Sequence, residues 1–176
     1  MIREQGGEGD ERAGAGRYPI VGVIGASRVD DDLRGMAYDV GRLLAEREAI
    51  LVCGGLGGVM EAACQGAYEH DGVTVGVLPS DDTYEANPYV QVPIATGFGA
   101  GRNMVIVRTA DVVIALGSSY GTLSEIALAL NLGKRVVHLR SWDLDQAGAV
   151  DADLYVEAQS PEEAVELALE YQPGPE

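Results

Sequence analysis

The feature that most limits how this chain can fold is a regular alternation of short, β-branched apolar runs with longer stretches of helical period. Residues 18–24, 49–52, 73–78, 111–116 and 135–139 read as strands without a polar face. Between them, residues 31–48 set Leu33, Met36, Ala37, Val40, Leu43 and Leu44 on one helical face, and 59–70, 102–109 and 122–132 read as further helices. Weaker strands are predicted at 90–95 and 154–156. A last helix begins after Ser160, with Pro161 at its first position and Glu163 placed to close a capping box, and ends near Tyr171. Strands apolar on both faces need helices on both faces, so the pattern predicts a doubly wound α/β fold with a mainly parallel sheet. In such a sheet the strand-to-helix loops gather at the carboxyl edge, where ligands bind.

Three of those loops are unusual: Gly25-Ala26-Ser27-Arg28, Gly54-Gly55-Leu56-Gly57-Gly58, and Gly117-Ser118-Ser119-Tyr120-Gly121-Thr122. Small residues let backbone N–H groups approach an anion, and a helix N-terminus behind them adds unpaired donors. A single such loop reads equally as a tight turn. Three at one edge point to a small phosphorylated ligand. The motif is not a P-loop, because the only lysine is Lys134, in Gly133-Lys134-Arg135. Nor is it the dinucleotide fingerprint, since Gly22-Val-Ile-Gly25 spaces its glycines differently.

A second signal is a pair. Arg102 opens a helix after the glycine-rich stretch 96–101, followed by Asn103, and Glu125 is predicted in the first turn of the next helix, so both should face the same edge. A guanidinium and a carboxylate there suit a sugar phosphate and a developing positive charge. Glu125 reads equally as the closing residue of a capping box begun by Thr122. A cation at the helix start opposes the dipole, so Arg102 calls for an anion.

Composition narrows the partners. Asp and Glu number 28 against 12 Lys and Arg, a net charge of −16, which argues against binding nucleic acid by bulk charge. An acidic, lysine-poor surface fits a salt-rich habitat as well as an ordinary acidic protein. Cys53 and Cys64 do not make a disulfide framework and lack partners for a metal site, so a reducing, cytoplasmic setting without metal is expected. His70 ends a helix and His138 lies in a strand, which predicts structural roles for both. No run approaches the roughly 20 apolar residues of a membrane span. Residues 1–17 read as a disordered tail before a single domain over 18–172, and the acidic segment 79–89 reads as a solvated connection or a lid.

The stretch from Thr96 through Arg102-Asn103, with residues 109–130 and their Gly117-Ser-Ser-Tyr-Gly121-Thr122-Leu-Ser-Glu125, resembles the LOG (LONELY GUY) family, long labelled lysine decarboxylases. The likeness covers nearly all of residues 18–140 and implies a Rossmann-like fold. In that family a Pro-Gly-Gly-x-Gly-Thr-x-x-Glu signature binds phosphate, and its glutamate works with an upstream arginine in hydrolysing the N-glycosidic bond of nucleoside 5′-monophosphates. Glu125 and Arg102 match those two residues. Gly117-Ser118-Ser119 stands in place of Pro-Gly-Gly, and the Arg-Asn pair resembles the branch containing molybdenum cofactor carrier proteins, which bind a phosphorylated pterin. The resemblance therefore implies either a phosphoribohydrolase needing no cofactor or a non-catalytic carrier or sensor of molybdenum cofactor. It also implies a homodimer, consistent with a helix at 126–132 that is apolar nearly all round. A pyridoxal decarboxylase would need a lysine at the site, and Lys134 is predicted at the opposite edge.

Overall fold

A computed structural model describes residues 17–144 and 151–171. The tail read over residues 1–17 lies outside them except for Arg17, as does residue 172 at the end of the predicted domain. The described residues form β1 (Ile20–Gly25), α1 (Asp31–Glu46), β2 (Ile50–Cys53), α2 (Val59–Tyr68), β3 (Thr74–Leu78), β4 (Val92–Ala95), α3 (Asn103–Thr109), β5 (Val112–Leu116), α4 (Tyr120–Asn131), β6 (Val136–Leu139), β7 (Tyr155–Glu157) and α5 (Pro161–Leu169). Single 3₁₀ turns at Thr83–Glu85 and Gly99–Arg102 precede β4 and α3.

The seven strands are ordered β4-β3-β2-β1-β5-β6-β7, and every pairing is parallel. The chain therefore winds outward from β1 to β4, returns to the centre, and winds the other way from β5. This reversal opens a crevice at the carboxyl ends of β1 and β5. All five residues of β5 are buried, as a strand covered on both faces requires. One face packs β-strand side chains such as Val21, Val23 and Leu51 against α1, α2 and α5; the other packs Ile24, Val113 and Ala115 against α3 and α4. Helices α1 and α2 touch backbone to backbone, because Gly41 lies on the Ala63 carbonyl and Gly66 on that of Tyr38.

Local chemistry fixes the element ends. Asp30 caps α1 by accepting from the Leu33 N–H at 2.7 Å. Ser160 caps α5, and Glu163 reaches back as predicted, though to the Gln159 N–H at 2.7 Å. Arg17 and the Ile20 N–H both donate to Asp111, tying the start of β1 to β5. Lys134 donates to the carbonyls of Arg108, in the last turn of α3, and Ala110, its C-cap, at the edge opposite the loops. His70 holds the Gly66 carbonyl at 2.9 Å near the end of α2. Cys53 and Cys64 are buried with their sulfurs 3.4 Å apart. Among the described residues no helix is long and apolar enough to cross a membrane, and no group of three or more His, Cys, Asp and Glu could hold a metal ion.

Candidate functional site

A cavity of about 200 Å³ lies in the crevice between β1 and β5. Gly25 and Ser27 come to it from the β1 loop, Gly54 from the β2 loop, Arg102 and Asn103 from the start of α3, and Ser119, Gly121, Thr122 and Glu125 from the start of α4. Gly55, Gly57, Gly58, Gly117, Ser118 and Arg28 lie in the same loops but do not line it. Leu56 of the β2 loop, with Met60, Val23 and Ile24 outside the loop motifs, supplies an apolar wall.

The β1 and β2 loops interlock through backbone. The Val59 N–H donates to the Ala26 carbonyl at 3.0 Å, and a Cβ at Gly58 would overlap that same carbonyl oxygen. Gly58 also sits at φ 70°, ψ −128°, a conformation suited to glycine alone. It precedes α2 without a side-chain cap, which leaves first-turn N–H groups of that helix at the loop. The segment 79–89 is tied down, not merely solvated: Asn87, 8% exposed, donates its backbone N–H to the Gly55 carbonyl and its side-chain amide to the Leu56 carbonyl.

Helix α4 begins earlier than the sequence predicts. Ser119, not Thr122, is its N-cap: the Ser119 hydroxyl accepts from the Thr122 N–H at 3.1 Å and shares a 2.8 Å hydrogen bond with the Thr122 hydroxyl. Serine caps this way because its short side chain reaches the N3 donor. The shift moves Glu125 into the second turn, so the expected Thr122–Glu125 capping box does not form. Glu125 instead turns inward, 8% exposed, and among the described residues no hydrogen bond or salt bridge holds its carboxylate. Burial pushes its pKa up to about 7, against a smaller downward pull from Arg102.

Arg102 is also 8% exposed. Its Nη1 donates to the Val77 carbonyl at 2.6 Å, and the guanidinium lies so close over Gly54 that any Cβ there would collide with it. Its position is thus accounted for by an internal carbonyl, whereas the sequence called for an anion. Burial pulls its pKa down, opposed by Glu125. The remaining guanidinium donors and the α4 N-terminus give the cavity a cationic character within an acidic exterior. Below pH 7 the Glu125 carboxyl is mostly protonated and does not cancel that charge.

The arrangement can seat a phosphate and hold one ionisable carboxyl beside it. A family model described as the SLOG cluster4 family matches residues 18–170. A protein of Archaeoglobus fulgidus, described as uncharacterized, is 46% identical over 120 residues, 68% of this chain and 79% of that one. The molybdenum cofactor binding protein of the phototrophic bacterium Rippkaea orientalis superposes with a TM-score of 0.81 at 40% identity, covering 86% of this chain and 95% of that one. The molybdenum cofactor carrier protein of Chlamydomonas reinhardtii does so at 0.79 and 36% identity, covering 85% and 95%. With its two windings of sheet, its cradle of glycine and serine loops and a family match from residue 18 to residue 170, the chain belongs to the SLOG cluster4 family.

Proposed function

We propose that this protein carries or senses a phosphorylated pterin of the molybdenum cofactor type, bound without covalent attachment in the β1–β5 crevice. The observation that carries the reading is the likeness, over more than four-fifths of the chain, to two proteins named for binding that cofactor. The residues present fit its phosphate end. Ser27, Ser119 and Asn103 offer polar hydrogens, α4 offers first-turn N–H groups, and Arg102 offers charge. Ser118 and Arg28, exposed beside the cavity, can close on a bound ligand. A phosphate dianion beside Glu125 favours its protonated form, so the site accepts the ligand without a buried like-charge pair.

Purified full-length protein, incubated anaerobically with molybdenum cofactor and gel-filtered, is expected to elute with molybdenum and pterin together and to pass both to a cofactor-free molybdoenzyme. Elution of the protein free of both overturns the reading.

One observation favours a second reading, hydrolysis of a nucleoside 5′-monophosphate to free base and ribose 5-phosphate. Glu125 is a buried carboxyl poised near neutrality beside Arg102, as a group that stabilises a ribosyl cation or orients water needs to be. A panel of nucleoside monophosphates tests it: no turnover, or turnover unchanged in Glu125→Ala, ends it. Leu128 and Leu130 on α4 and Leu132 at its C-cap remain only half-buried, which supports a homo-oligomer formed across that helix, to be checked by sedimentation equilibrium.

A further inference from the structure

A larger cavity, of about 380 Å³, opens at the carboxyl ends of β6 and β7. Its floor is His138, stacked flat on Tyr155 with ring centroids 4.3 Å apart and planes 10° apart. Arg140, Ser141, Asp143 and Glu157 form its wall and rim. His138 is 9% exposed, and among the described residues its ring nitrogens have no hydrogen-bond partner. Burial holds its pKa down, so the ring is neutral, with one N–H to give and one lone pair to receive. Among the described residues no buried side-chain nitrogen or oxygen is left unpartnered, so the open ring nitrogen is reached by solvent through the cavity, where a ligand can take the place of water. His138, expected in a structural role from its place in a strand, also faces this cavity.

The two cavities have no lining residue in common, but the loop after β6 is hydrogen-bonded to the loop that enters the crevice. Ser141 donates to the Gly117 carbonyl at 2.7 Å, and the Trp142 indole N–H donates to the Ser119 carbonyl at 3.0 Å. The loop that lines the second cavity therefore packs against the loop that borders the phosphate cradle, and β5 and β6 are neighbours, about 5 Å apart. Their chemistries differ. The crevice is cationic; the second cavity has two carboxylates at its rim, which would repel a phosphate.

We infer that the His138–Glu157 cavity is the subsite for the ring of the ligand whose phosphate sits in the crevice, with Glu157 accepting from an amino group on that ring. This rests on the phosphorylated-pterin reading and deepens it. A pterin presents a 2-amino-4-oxo edge rich in N–H donors, the natural complement of a carboxylate. Glu157 is the β7 residue in register with His138, so acceptor and imidazole lie side by side along that edge.

Three probes test it on the full chain by calorimetry and intrinsic ring fluorescence: inorganic phosphate, 6-hydroxymethylpterin phosphate, and its lumazine counterpart, in which an oxo group replaces the 2-amino group. The pterin should bind about 10–100-fold more tightly than the lumazine, the effect of one charge-assisted hydrogen bond. Glu157→Gln, at an exposed strand end, should bring the two affinities together. Equal affinities in the unmodified protein, or a preference that survives Glu157→Gln, overturns the subsite. Failure of inorganic phosphate to compete with either ring compound overturns the crevice reading instead.

Discussion

The two sides of the β1–β5 crevice are built differently. On the β2 side the backbone is locked. Gly54 has Arg102 against its Cα, Gly58 has the Ala26 carbonyl, and Asn87 pins Gly55 and Leu56 from the loop opposite. On the β5 side only Gly117, at φ 70° and against Leu33, is similarly confined; beyond it Gly121 meets only the Ser119 hydroxyl, at 3.7 Å, and the helix start is held by hydroxyl hydrogen bonds. The locked side is scaffold, and the open side is where ligand contacts can be tuned without disturbing the fold. Substitutions on each side can break that contrast.

The largest effect should come from Gly58→Ala. The new methyl meets backbone that cannot rotate away, in a conformation that L residues avoid. Left-handed strain and overpacking together should cost about 4 kcal/mol. Thermal unfolding should fall by about 8–16 °C. A melting curve within 2 °C of the parent, roughly 1 kcal/mol or less, would show that the β2 loop is not locked.

Next comes Glu125→Gln, whose effect depends on pH. The folded protein holds this proton up to about pH 7, whereas the unfolded chain releases it near the ordinary 4.5. The contribution to stability is therefore full below pH 4.5 and declines as pH rises to 7, because ionising the buried group opposes folding. Glutamine keeps the shape without the charge. The variant should match the parent at pH 4 and exceed it at pH 8 by about 3 kcal/mol. Equal melting temperatures at pH 8 would mean that the carboxylate is well solvated in the crevice.

Most of this architecture could be read directly. In the strand read at 111–116 every residue after Asp111 is apolar, which specifies a doubly covered strand, and β5 is buried throughout. The three small-residue loops fall at one edge, as the parallel winding demands. What failed was resolution within a turn. Ser119 and Thr122 are both good caps three residues apart, and sequence alone does not say which adopts the extended backbone; in the structure Ser119 does, at φ −140°. That choice decides whether Glu125 caps a helix or faces the crevice. The His138 cavity was invisible for another reason. It depends on the register of β6 with β7, which places His138 opposite Glu157 across a segment with no periodic signal.

The Ser119 assignment has its own test. Ser119→Ala removes the acceptor for the Thr122 N–H and should cost about 1 kcal/mol, or 2–4 °C of melting temperature. Inorganic phosphate should also bind more weakly, because the start of α4 loses its fixed geometry. An unchanged melting temperature would return the cap to Thr122.

The smallest change should be Gly121→Ala, and its sign is what matters. Gly121 lies in the first turn of α4, its φ is not left-handed, and an added methyl finds ordinary van der Waals contact with the Ser119 hydroxyl. Alanine loses less backbone entropy on folding and has the better helix propensity, so stability should rise by about 0.5 kcal/mol. The same methyl projects from a residue lining a cavity of only about 200 Å³. A phosphorylated ligand should therefore bind less tightly to a slightly more stable protein. On the locked side of the crevice a methyl at Gly58 costs stability, whereas on the open side it costs only affinity. If Gly121→Ala instead lowers the melting temperature, the two sides are equally constrained, and the division into scaffold and ligand surface does not hold.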